Sequence, residues 1–161
     1  TYFEILDAKT AALCACCCQL GAHFAGADAS VVERLTLFGR NLGLSFQIAD
    51  DLLDVVGEEA TVGKSLGTDL EKQKPTLPLI RALQVADEAQ RETILAAVHG
   101  QVRDSAATLR ATFERLGTLD YTRETAATFA SQAQAQLTPL PASPAKDALQ
   151  RMAAFVVNRA F

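Results

Sequence analysis

The densest chemistry in this 161-residue chain is the run Phe46-Gln47-Ile48-Ala49-Asp50-Asp51-Leu52-Leu53-Asp54. On a helix Gln47, Asp50, Asp51 and Asp54 fall within about one 100° arc. Gly39 and Gly43 lie beside that arc. Large apolar residues flank it, with Ile48, Leu52 and Val55 on one side and Leu42, Phe46 and Leu53 on the other. Three like charges within two turns repel, so they stay ionised only beside a cation or in open water. Clustered oxygen ligands that form an incomplete cage suit Mg²⁺ shared with substrate phosphates. A solvated acidic face is the competing reading, and the three aspartates alone leave both open.

The next segment adds cations. It holds Gly63-Lys64-Ser65, Gly67, Asp69, Lys72 and then Lys74-Pro75-Thr76. Lysine is a compact charge suited to phosphate oxygens. Lys9, followed by Thr10, supplies another candidate. Antiparallel packing of the first two helices is expected to bring Lys9 toward the aspartate stripe. Each lysine alone reads as a solvated side chain. Taken with the aspartates they describe a diphosphate clamp, with metal on one side and ammonium groups on the other.

These groups need helices to hold them, and the composition supplies helices. The chain has 29 Ala and 21 Leu but only nine Gly and five Pro. That favours an all-α fold and disfavours β-sandwiches and barrels. The pattern predicts a helix from Tyr2 to about Phe24. A second is expected to be capped by Ser30 with Glu33 and to run to about Val56. A long polar loop follows over 57–74, and Pro75 and Pro78 fit the opening turn of the next helix. Further helices are expected near 78–86, 88–98, 101–116 and 121–136. The last starts at Pro144 behind a Ser143 cap and runs to about Asn158.

Other classes are disfavoured. The net charge is −4 with no basic stripe, so nucleic acid is not an expected partner. The longest apolar run, Ala11 to Cys18, is too short to span a bilayer, so no transmembrane segment is expected. All four cysteines, Cys14, Cys16, Cys17 and Cys18, crowd one helix. They cannot close loops as disulfides or surround a tetrahedral Zn²⁺, and are read as small buried residues at a tight helix contact. Free thiols fit a reducing cytoplasm. His23 and His99 lack catalytic partners nearby in sequence. The chain opens on Thr1 with helical pattern at once, so an interior start in a longer gene product is expected.

Ordered together, these pieces resemble the trans-isoprenyl diphosphate synthases, the polyprenyl synthetases. The matching residues are Lys9-Thr10-Ala11, Phe46-Gln47 with Asp50-Asp51-x-x-Asp54, and Gly63-Lys64 through Gly67-x-Asp69. Lys74-Pro75-Thr76-Leu77-Pro78-Leu79-Ile80 and Phe155-Val156-Val157-Asn158-Arg159 match as well. The resemblance implies an antiparallel helical bundle around a central cavity, the isoprenoid synthase fold. It implies prenyl transfer: an allylic diphosphate ionises with the help of Mg²⁺, and the allylic cation is attacked by the double bond of isopentenyl diphosphate. On that resemblance Asp50 is a direct metal ligand, and Asp51 and Asp54 bind metal or orient metal-bound water. Lys9 and Lys64 contact the allylic diphosphate, and Lys74 is a further diphosphate-binding candidate that acts by ordering the loop or by a weaker, longer-range attraction. Thr10 and Gln47 stand near the developing cation, and Phe46 packs on the isoprenoid.

The only Asp-Asp pair is Asp50-Asp51. The family's first aspartate-rich motif is therefore expected upstream of Thr1. Residues 1–161 then read as the C-terminal part of a single isoprenoid synthase domain, inactive by itself. A medium-to-long, octaprenyl-like product is favoured, with farnesyl or geranylgeranyl synthesis as the alternative. A non-catalytic regulatory subunit is the other rival, and a class I terpene cyclase is disfavoured by the Asp50-Asp51-x-x-Asp54 form of the motif. The resemblance also implies a homodimer.

Overall fold

The computed structural model describes residues 1–56 and 74–158. Among them are eight α-helices, one π-helical turn and no strand, so the all-α expectation holds. In chain order they are α1 (Tyr2–Leu6), the π turn (Asp7–Ala11), α2 (Ala12–Phe24), α3 (Ala29–Val56), α4 (Leu77–Val85), α5 (Glu88–Val98), α6 (Ser105–Arg115), α7 (Thr118–Leu137) and α8 (Pro144–Asn158). The chain forms two compact units, Thr1–Ala49 with Thr125–Phe161, and Asp50–Glu124. The lysine-rich segment with Lys64 lies outside the described residues.

In the first unit the π turn and α2 run antiparallel to α3, with Ala11 against Gly43 and Cys14 against Gly39. Phe38, Ala133, Leu137 and Ala153 form a buried cluster, with Leu35, Leu42, Cys18, Leu140 and Leu149 packed on it. Ser45 is fully buried and donates to the Ala126 carbonyl at 2.9 Å, so its hydroxyl is not left unsatisfied. In the second unit α4, α5 and α6 pack on one another through buried Ala82, Ile94, Leu109 and Phe113.

Several boundaries differ from the sequence expectation. Asp28, not Ser30, caps α3: its Oδ1 accepts from the Val31 N–H at 2.9 Å. A carboxylate suits a helix N-terminus, and that bond lowers the Asp28 pKa. Ser30 sits one step inside the helix. Pro75 stands before α4, whereas Pro78 lies in its first turn, where a missing N–H costs nothing. The Ser143 cap is as expected, accepting from the Lys146 N–H at 3.1 Å.

The cysteines divide as well. Cys14 and Cys18 are half-buried, while Cys16 and Cys17 are exposed. Positions i and i+4 share the face turned to α3, and Cys16 points to the opposite side. Burial raises the Cys14 and Cys18 thiols above their ordinary pKa.

The apolar-run criterion also needs correcting. The helical stretch Tyr2–Phe24 has 23 residues and a window of mean hydropathy 1.3, and is long and apolar enough to cross a membrane by length and composition. Ala and Cys raise the average even where Glu4, Asp7 and Lys9 interrupt the run.

An ion pair ties this stretch to α3. Arg40 donates from Nε and Nη2 to the two carboxylate oxygens of Asp7 at 2.6 and 2.5 Å. The Arg40 guanidinium holds the Asp7 carboxyl below its ordinary 3.8, against a smaller opposing effect of burial. A lowered folded-state pKa means the pair stabilises above that ordinary value and stops doing so as pH falls through the folded-state value. Both side chains are partly exposed, so the contribution is small and salt-sensitive. Asp7→Asn is expected to lower the melting temperature at neutral pH, with the difference closing below pH 3.8. Melting curves across that range check it, and a pH-independent difference would contradict it.

Candidate functional site

In the first unit the Lys9-Thr10 pair lies inside the π turn, where the extra residue per turn rotates the side chains out of ordinary α register. Thr10 Oγ1 donates to Gln47 Oε1 at 2.9 Å, and Gln47 is 7% exposed. The two residues expected near a developing cation therefore touch, and the bond fixes the direction of the Gln47 carboxamide. Lys9 is exposed on the same turn, and Phe46 is a partly exposed aromatic beside Gln47. The contact depends on two glycines. A Cβ at Gly43 would lie 2.7 Å from the Ala11 Cα, and one at Gly39 would lie 2.4 Å from the Cys14 carbonyl oxygen. Only glycine lets the helices approach this closely.

In the second unit the three aspartates are not equivalent. Asp50 and Asp54 are half-buried, whereas Asp51 is 7% exposed. Asp51 Oδ2 accepts from the Leu77 N–H at 3.1 Å, at the start of α4. Among the described residues no three His, Cys, Asp or Glu side chains converge on one metal position. The chemistry of the donors still fits a hard cation. Asp50 and Asp54 are carboxylates one helical turn apart, the hard-oxygen donor type that Mg²⁺ takes together with water and phosphate oxygens. Lys74 is exposed just before Pro75, and its carbonyl accepts from the Thr76 N–H at 2.9 Å. Lys64 lies outside the described residues.

A family model described as polyprenyl synthetase matches residues 1–116, which includes Lys9, Gln47, the aspartates, Lys64 and Lys74. The chain belongs to the polyprenyl synthetase family. Among curated members, the short chain isoprenyl diphosphate synthase of Methanothermobacter thermautotrophicus is 36% identical over 158 residues, covering 98% of this chain and 49% of that protein. The octaprenyl diphosphate synthase of Escherichia coli is 34% identical over 159 residues, covering 98% and 49%. Among solved polyprenyl synthases, the Caulobacter crescentus CB15 enzyme complexed with calcium and isoprenyl diphosphate superposes with a TM-score of 0.91 at 38% identity, covering 99% of this chain and 49% of that one. This polyprenyl synthetase chain thus spans about half the length of the curated relatives it matches.

Two features of the site escaped the sequence reading. Arg40 anchors the turn that carries Lys9, and nothing in its local sequence marks it. Asp51 turns toward α4, and helical spacing alone cannot separate it from Asp50 and Asp54.

Proposed function

We propose that the full-length protein elongates an allylic diphosphate with isopentenyl diphosphate, forming trans double bonds. The observation that carries this is the family match over 1–116, the range in which Asp50, Asp54, Gln47 and Lys9 lie. Asp50 and Asp54 present carboxylate oxygens for Mg²⁺. The bound ion would supply Lewis-acid charge to the departing diphosphate. Lys9, Lys64 and Lys74 balance the charge that gathers on the diphosphate oxygens as the allylic C–O bond breaks. Thr10 and Gln47 would stand near the carbon that becomes positive, with their mutual hydrogen bond fixing the direction of the carboxamide. The isopentenyl double bond then forms the new C–C bond, and one proton leaves to make the trans alkene.

We favour an octaprenyl-like product on the sequence over 67–80 and at Phe155–Arg159. A short-chain product is the second reading, supported by the 36% identity to the Methanothermobacter short chain enzyme. A cytoplasmic homodimer completes the proposal, with the free exposed thiols of Cys16 and Cys17 in keeping with a reducing compartment. The test is incubation of the full-length protein with Mg²⁺, isopentenyl diphosphate and a short allylic primer, with products resolved by mass spectrometry. Octaprenyl-range products support the reading, shorter ones support the second, and no consumption of isopentenyl diphosphate overturns both.

The lysines are expected to separate in the same assay. Lys64 lies between Gly63 and Gly67, so its backbone can approach a ligand closely. Lys74 precedes Pro75, which biases its backbone toward extended geometry at a helix start. Lys64→Ala is expected to lower kcat about tenfold or more and to raise KM for the allylic substrate. Lys74→Ala is expected mainly to raise KM, in a salt-dependent way. Equal, small effects would reduce both lysines to solvated side chains.

A further inference from the structure

We propose that Asp51 is a positioning residue: its carboxylate caps α4 and ties the Lys74-Pro75-Thr76 segment to α3, leaving metal binding to Asp50 and Asp54. The start of α4 explains why it needs an outside acceptor. Ile80 N–H already bonds the Thr76 carbonyl at 3.0 Å, and Pro78 has no N–H. Of the first-turn donors, Leu77 and Leu79 remain. Thr76 occupies the N-cap position with extended backbone, φ −70° and ψ 159°, yet its side chain makes no capping bond. The Thr76 hydroxyl is buried and has no partner among the described residues. Asp51 Oδ2 takes the Leu77 N–H in its place, at 3.1 Å.

A negative charge at this end of a nine-residue helix is favoured by the aligned peptide dipoles. An oxygen so engaged, on a side chain 7% exposed, is poorly placed to join Asp50 and Asp54 around one ion. The same bond fixes where the chain enters α4, and Lys74 lies three residues before Leu77. A lysine that meets a diphosphate from this segment is therefore positioned by Asp51. The link to catalysis rests on the diphosphate-site reading, whereas the cap does not.

The experiment compares Asp51→Ala, Asp51→Asn and Asp50→Ala in the full-length protein. Three quantities are measured: amide exchange at Leu77, affinity for inorganic pyrophosphate in the presence of Mg²⁺, and KM for the allylic diphosphate. Asp51→Ala is expected to speed Leu77 exchange about tenfold, the effect of losing one buried hydrogen bond to a charged acceptor. It is also expected to raise KM. Asp51→Asn keeps an oxygen that accepts the same N–H, so both quantities are expected to return close to the parent values. Asp50→Ala is expected to leave Leu77 exchange unchanged and to weaken pyrophosphate binding. Unchanged Leu77 exchange in Asp51→Ala overturns the cap. Pyrophosphate binding lost equally in Asp51→Asn and Asp51→Ala overturns the division of labour, because a metal ligand tolerates neither change. Faster exchange in Asp51→Ala, with pyrophosphate binding indifferent to Asp50→Ala, upholds the cap and overturns the diphosphate-site reading on its own.

Discussion

Replacing Asp50 by Ala in the full-length protein is expected to slow prenyl transfer by about 10²–10⁴, equivalent to roughly 3–5 kcal/mol of transition-state stabilisation. Asp50 is half-buried on α3 among apolar neighbours such as Ala49 and Leu52, which are fully buried. A carboxylate in that setting is only partly open to water. The charge it helps to stabilise grows as diphosphate departs, so the loss is expected mainly in kcat. Asp54→Ala is expected to cost less if its contact with the ion runs through water. Steady-state kinetics at saturating Mg²⁺ decide the matter, and near-full turnover of Asp50→Ala removes Asp50 from the metal site.

The second large effect is structural. Gly39→Ala is expected to destabilise the protein by about 3 kcal/mol, at the upper end of what overpacking costs. The added methyl carbon would sit 2.4 Å from the Cys14 carbonyl oxygen and 2.8 Å from its carbonyl carbon. Both atoms belong to a helical backbone and cannot swing aside as a side chain would. The helices must separate, and that carries Thr10 away from Gln47. For a chain of this size the melting temperature is expected to fall by roughly 6–12 °C. Gly21→Ala is the control: nothing lies within 4 Å of its added carbon, and the change is expected to be neutral or to stabilise slightly. A Gly39→Ala protein melting within a degree of the parent would refute the tight contact.

Much of the scaffold was legible in the sequence because helices are local objects. The helix expected to follow the Ser30 and Glu33 capping pair ends at Val56 as α3 does, and the Ser143-Pro144 pair predicts the start of α8. The first helix was predicted as one piece, yet five of its residues form the π turn that presents Lys9 and Thr10. No residue type signals that insertion. Asp28 and Ser30 are both competent caps, and their order along the chain does not say where the first turn closes.

By itself the sequence determined the helical class, the candidate residues, and the family to which their order belongs. Helical period also set the angles among Gln47, Asp50, Asp51 and Asp54 about one axis. Tertiary structure decided which of those directions faces what. The direction of Asp51 meets the first free N–H of α4, while Asp50 and Asp54 stay half-exposed. The direction of Gln47 meets Thr10 because Gly39 and Gly43 bring two backbones together. Periodicity fixes angles within a helix. It carries no information about where the neighbouring helix lies, and that placement turns three identical carboxylates into different chemical groups.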